Sequence, residues 1–276
     1  MKRHLILFGT ASRYELVVHA NNRFAMFLVA AYVPTWSAVA HFVIPSAQVH
    51  FRLRATGSVL TPAGNQLTQV TGAINAVTLI TGFMMFAATF ASGRFDRRLA
   101  LAGYPRIHLV LAKTAALAVA SVAIAAYATA IAYLFWTPQQ PLLLAAALFC
   151  AAKTYGALGV VFGALLRREV EGMFALVMTS VLDIALQNPI VSAGANSWAI
   201  AYLPSYGAVQ AATAAGFTGT PLLSCLALQL TWFAGAAILG LLAFHRRTRN
   251  ALSGTPCAAA LIGSPSGAGQ ARRGAT

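Results

Sequence analysis

Two lysines in this chain stand directly before threonine, Lys113 and Lys153, the order that closes a phosphate-binding loop. Such a loop works through glycine amides that cradle the phosphates, with a glycine just before the lysine. Here both lysines follow alanine and lie within or beside apolar stretches, so ATP hydrolysis through that motif is not expected. The five acids are Glu15, Asp96, Glu169, Glu171 and Asp183, and no two of them share an apolar stretch. His4, His19, His41, His50, His108 and His245 are scattered and form no HExxH pattern. Cys150, Cys225 and Cys257 are far apart, with no metal-binding spacing, and read as small hydrophobes. Paired carboxylates, a histidine cluster and a nucleophile beside a base are what hydrolytic or transfer chemistry would need. None is legible, so the chain is not expected to be an enzyme, and no metal or cofactor is expected within it.

What remains is arginine, and its placement carries the information. Only 9% of the 276 residues are charged and 59% are apolar, against about 25% charged in soluble domains. From Ile184 to Phe244 there is no charged residue at all. Such a run needs the bilayer as its solvent. Nineteen basic residues against five acids would suggest nucleic acid on a soluble domain. Between apolar spans the same excess is a topology signal, so nucleic-acid binding is not expected.

A bilayer-crossing helix needs about 20 residues. Six stretches qualify: Phe24–Ile44, Leu67–Ala91, Ile107–Trp136, Leu142–Leu166, Met173–Val191 and Leu222–Phe244. The fold class expected is an all-α integral membrane protein with six transmembrane helices. Basic residues concentrate on one side when the N-terminus is placed in the cytosol, which puts both termini there. Arg52 and Arg54 are then the external exceptions, in the 46–66 loop. Residues 1–23 form an N-terminal cytosolic or interfacial amphipathic segment, 24–249 the transmembrane domain, and 250–276 a Gly/Ala/Ser/Pro-rich tail expected to be disordered. The apolar core near the N-terminus is too short for a cleaved signal peptide.

The cytosolic link between spans two and three stands out. Ser92 can cap a helix N-terminus, Gly103 supplies a left-handed stop, and Pro105 prevents continuation. Between them a short separate helix is expected, with Phe95, Leu99 and Ala102 on one face. Arg94, Asp96, Arg97 and Arg98 crowd its first half, and Arg106 follows. A second, shorter cytosolic turn holds Arg167, Arg168, Glu169 and Glu171.

Inside the spans, Asp183 is the exceptional group. A charged acid near the bilayer centre costs about 2.5–3.5 kcal/mol, so it should face protein or water. It either lines a hydrated pathway, caps the helix break at Gln187, Asn188 and Pro189, or is hydrogen-bonded within the bundle. Asn75 and Thr78 are further polar candidates, for a dimer seam. Gly156, Gly159 and Gly163 are spaced for close helix packing.

The order of these features resembles the permease subunits of ATP-binding-cassette (ABC) transporters of the type-2 exporter class. One matching stretch is FDRRLALAGYPRIHLVLAK; the other is DIALQNPIVSAGANSWAIAYLPSYGAVQAATAAGF followed by LALQLTWFAGAAILGLLAFHRRTR. The resemblance covers about residues 10–249 and rests on order more than on any single motif. It implies a short cytosolic coupling helix between spans two and three and a partly re-entrant external segment between spans five and six. It also implies a multi-pass protein of a bacterial cell membrane whose pathway is formed as a dimer, with a second copy or a homologous permease. A separate cytosolic ABC ATPase subunit, carrying ATP and Mg, would power export. Arg94, Phe95, Asp96, Arg97, Arg98, Leu99, Gly103, Tyr104 and Arg106 would be its contacts. The stretch VHFRLR departs from the pattern, since its alternation makes the first external loop strand-like. An ion-coupled secondary transporter and a non-transporting membrane scaffold are the competing readings.

Overall fold

The structure, a computed structural model, describes residues 2–249, without the side chains of 2, 3, 24, 94–97, 100, 101, 106, 107, 193, 196, 244, 245 and 247–249. The expected tail over 250–276 lies outside the described residues. Eight α-helices carry the fold: α1 Lys2–Ala20, α2 Arg23–Val43, α3 Gly64–Leu101, α4 Arg106–Phe135, α5 Pro141–Leu165, α6 Glu169–Gln187, α7 Tyr206–Phe217 and α8 Leu223–Arg249. Two 3-10 turns, Ala193–Asn196 and Trp198–Tyr202, link α6 to α7. Two strands of two residues, β1 Phe51–Arg52 and β2 Val59–Leu60, pair antiparallel.

Among the described residues five helices are long and apolar enough to cross a membrane: α2, α3, α4, α5 and α8. Large apolar side chains face outward on them, among them Leu134, Leu142 and Ile238. The chain is an all-α, multi-pass membrane protein. The fifth expected span corresponds to α6, which is not one of these five. Its 19 residues include Glu169, Glu171, Ser180, Asp183 and Gln187, and the helix stops at Gln187 rather than reaching Val191. Asn188 ends it: its side-chain Oδ1 accepts the Ile190 amide at 2.9 Å, a local turn that competes with helix.

At the centre of the bundle is α5, packed on α3, α8, α7 and α4. Small residues allow this. A Cβ on Gly159 would sit 2.3 Å from the Gly82 carbonyl of α3, so the two backbones meet there with no side chain between. Gly207 plays the same part for α7 against α8, where a Cβ would lie 2.3 Å from the Cys225 carbonyl. Only 12 residues long, α7 is about 18 Å, too short to cross the roughly 30 Å hydrocarbon layer. It is nonetheless buried from Tyr206 to Gly216. The loop before α3 is strand-like where the alternation of VHFRLR predicts it, with Phe51 opposite Leu60. Gly57, at φ +70°, makes the turn, and the Gln210 side chain of α7 accepts the Ala55 amide at 3.1 Å.

The link between α3 and α4 differs from the sequence expectation. No separate short helix exists: α3 runs unbroken from Gly64 to Leu101, through Ser92. The Ser92 hydroxyl does not cap an end; it receives a hydrogen bond from Lys113 Nζ at 2.9 Å. Nothing in this stretch removes a backbone donor, so the helix propagates to the first residue that stops it. That residue is Gly103, at φ +84°. The Ala102 amide bonds back to Arg98 and the Tyr104 amide to Leu99, both at 3.0 Å, closing the helix in a glycine-dependent motif. At 38 residues α3 is about 57 Å long, so it extends well beyond the hydrocarbon layer.

Candidate functional site

Three regions of the bundle bring the singled-out residues together or separate them. The first surrounds Asp183, 2% exposed on α6. Its carboxylate accepts from the Tyr155 hydroxyl of α5 at 2.5 Å, from the Ser205 amide at 2.9 Å and from Gln187 Nε2 at 2.6 Å. Gln187 Nε2 also lies 2.9 Å from Ser205 Oγ. Ser205 stands immediately before α7, so one acid joins α5, α6 and the segment that re-enters the bundle. Buried charge persists only when hydrogen-bonded in this way. Of the alternatives for Asp183, the geometry is that of an acid hydrogen-bonded within the bundle.

A companion set sits beside it. Gln229 of α8 donates to Thr154 Oγ1 and to the Pro204 carbonyl, both at 2.8 Å, and accepts the Ala208 amide at 3.0 Å. Together Asp183 and Gln229 hold both sides of the turn before α7. Asn188 Nδ2 reaches Thr71 of α3 at 3.3 Å. Asn75 and Thr78 have hydrogen-bond partners within the chain. Asn75 accepts from Tyr32 of α2 at 3.2 Å and donates to Ser180 of α6 at 3.3 Å; Thr78 lies 2.8 Å from the same Ser180. They form a polar seam within the chain, between α3 and α6. Pro189 has no amide to offer and follows the last helical turn of α6.

The second region is the basic end of α3 and its surroundings. Arg98 is exposed, Leu99 half-buried and Gly103 exposed. The side chains of Arg94, Phe95, Asp96, Arg97 and Arg106 lie outside the described residues. Tyr104 is engaged within the chain: its hydroxyl donates to the Leu7 carbonyl of α1 at 2.6 Å. A second tie joins α4 to α1. Lys113 Nζ lies 2.7 Å from Glu15 Oε1, with both side chains over nine-tenths buried. His19, on the same helix as Glu15, is buried with no partner for its Nε2, and burial together with the Lys113 charge lowers its pKa to about 4. Nearer the N-terminus His4 Nδ1 and His108 Nε2 are 3.0 Å apart. The N-terminal segment is therefore a helix packed mainly against α4.

The third region is the turn before α6. Arg167, Arg168, Glu169 and Glu171 are all exposed. Glu169 and Glu171 occupy the first turn of α6, where acids complement the helix dipole. Arg168 and Glu171 are 3.7 Å apart at the surface, a contact worth little in energy.

Sequence reading missed Tyr155, Ser205, Gln229 and the Glu15–Lys113 pair. Lys153, which the sequence places in an apolar helix, is 8% exposed and lies 4.5 Å from the centre of the Phe233 ring. Among the described residues no three His, Cys, Asp or Glu stand close enough to hold a metal ion. No protein-family model matches the sequence, and no curated protein matches it.

Proposed function

We propose that the chain is the membrane-spanning permease subunit of an ATP-driven exporter, working as a dimer and powered by a separate ABC ATPase subunit. In this reading α2, α3, α4, α5, α6 and α8 are the six spans, both termini are cytosolic, and α7 dips into the bundle from outside. The observation that carries it is the shape of the α3–α4 hairpin. A helix longer than the bilayer is thick ends in an arginine-rich stretch and a glycine stop, and the hairpin is tied to α1 through Tyr104 of the turn and Lys113 of α4. A force applied at Arg98 and Leu99 would be transmitted along one unbroken helix into the centre of the bundle, where α3 meets α5. The contact that the resemblance assigns to a short separate helix is thus assigned to the protruding end of α3.

Capture at that end tests it. A photo-reactive residue at Leu99, in membranes carrying the partner, should cross-link to a polypeptide with a Walker A motif. Adducts with lipid alone would contradict the reading. The purified chain by itself should neither bind nor hydrolyse ATP.

A further inference from the structure

At the end of the bundle where α4 turns into α5, the chain forms an open surface pocket of about 690 Å³. That is within the range of small-molecule sites, about 300–1,000 Å³. Three connections meet there: β2 with the start of α3, the α4–α5 turn, and the end of α7. Although the chain carries a formal net charge of +14, none of the described residues lining this pocket is charged. No Arg or Lys fork of the kind that recognises phosphate or carboxylate is therefore present among them. What lines it instead is hydroxyl, amide and aromatic: Thr61, Thr137, Gln66, Gln139, Trp136 and Phe217.

The aromatic pair is fixed in place. The Trp136 and Phe217 rings stack with centroids 5.2 Å apart and planes 11° from parallel. Gly216 makes room for them, since a Cβ there would come within 2.9 Å of the indole ring. The walls are fixed too. The amides of Gln139 and Gln140 donate to the Gly216 and Ala215 carbonyls at 3.2 and 2.8 Å, and Gln140 Nε2 to Thr218 at 2.8 Å.

Polar capacity is left over. The buried Trp136 indole N–H has no hydrogen-bond partner among the described residues. Buried polar groups are ordinarily satisfied, by protein, by water or by a ligand. A pocket with rigid aromatic rings, neutral hydrogen-bonding groups and no charge suits a molecule with one C–H face and many hydroxyls. We infer that this pocket binds an uncharged, polyhydroxylated ligand of one or two sugar rings. The inference needs only the pocket and does not rest on the permease reading.

The test uses the full chain in phosphatidylcholine nanodiscs, free of glycoside detergent, with titration calorimetry as readout. Cellobiose and maltose are the neutral probes, glucose 6-phosphate the anionic one and glucosamine the cationic one. At least one neutral disaccharide should bind saturably, about tenfold or more tighter than either charged sugar. Gln139→Ala, at an exposed turn position, and Trp136→Phe, which keeps a ring but removes the N–H, should each weaken binding several-fold. Their melting curves should match that of the parent. Three results would overturn the inference: no saturable binding of a neutral sugar, equal or tighter binding of a charged one, or affinity unchanged in both variants. Because no ATPase subunit is present, its outcome is independent of whether the chain is a permease.

Discussion

Lys113 of α4 and Glu15 of α1 form a buried ion pair at 2.7 Å across 98 positions of sequence. Around it, Ser92 of α3 accepts a second hydrogen bond from the same ammonium. The pair makes the N-terminal helix part of the bundle. Removing one partner leaves an uncompensated buried charge, which costs about 3–5 kcal/mol. Glu15→Gln and Lys113→Met should therefore each lower the melting temperature sharply, and the double variant Glu15→Leu/Lys113→Met should recover much of the loss. Thermal unfolding in nanodiscs measures all three. Additive losses in the double variant would show that the two residues act separately.

His19 gives the same clasp a pH dependence. Its pKa is lowered from 6.5 to about 4 in the folded chain, by burial first and by Lys113 second. The unfolded chain takes up the proton below pH 6.5, while the folded chain resists it until about pH 4. Stability is thus fully present above pH 6.5 and falls as the pH drops towards 4, by at most about 3 kcal/mol. Hydrogen exchange of α1 between pH 7 and 4.5 should show loosening that His19→Phe abolishes. An unchanged slope in that variant would assign the pH effect elsewhere.

At the break in α6, Asp183 holds Tyr155, Gln187 and the Ser205 amide at once. Tyr155→Phe removes one donor to a buried carboxylate and should cost about 1–3 kcal/mol. Asp183→Ala strands three groups and should cost more, with the 197–206 segment gaining protease sensitivity first. If Asp183 were a coupling site for ions, its removal would abolish transport in variants of undiminished stability. The hydrogen-bonded geometry predicts loss of stability in step with any loss of function.

Close backbone approach at Gly159 sets a fourth expectation. The 2.3 Å distance from a Cβ to the Gly82 carbonyl cannot be relieved by a rotamer, because the obstacle is main chain. Gly159→Ala should push α3 and α5 apart and destabilise by about 1–3 kcal/mol. Gly235, with open space at its Cβ position, is the control, and Gly235→Ala should be neutral in the same melting assay.

Apolar length made the five long spans legible, and Gly103 with Pro105 marked the end of the α3–α4 turn at the right place. The spacing of Gly156, Gly159 and Gly163 correctly indicated close packing. Ser92 was misread because a serine beside glycine offers a cap only where the helix has a reason to stop, and here it has none until Gly103. The partners of Asp183 were not legible for a different reason. Tyr155 lies 28 positions before it and Ser205 22 after it, on elements whose relative placement no periodicity encodes. Glu15 and Lys113 each read as an ordinary interfacial charge until the fold brings them together.

Topology can be read by labelling single cysteines introduced into a cysteine-free background. Cysteine at Thr137 or Gly219 should react with a membrane-impermeant maleimide added to intact cells, and cysteine at Arg168 should react only after lysis. The reverse pattern would invert the orientation; labelling of Arg168 and Gly219 from the same side would remove α6 as a span.

The central claim is that the end of α3 is where a partner ATPase grips the permease, and coupling measures it most directly. In proteoliposomes holding the chain and its ATPase, ATP turnover and export are followed together for the parent and for Phe95→Asp/Leu99→Asp. The account predicts that the variant inserts and folds while export collapses and ATP hydrolysis becomes independent of transport. Full export with unchanged coupling in that variant would contradict it.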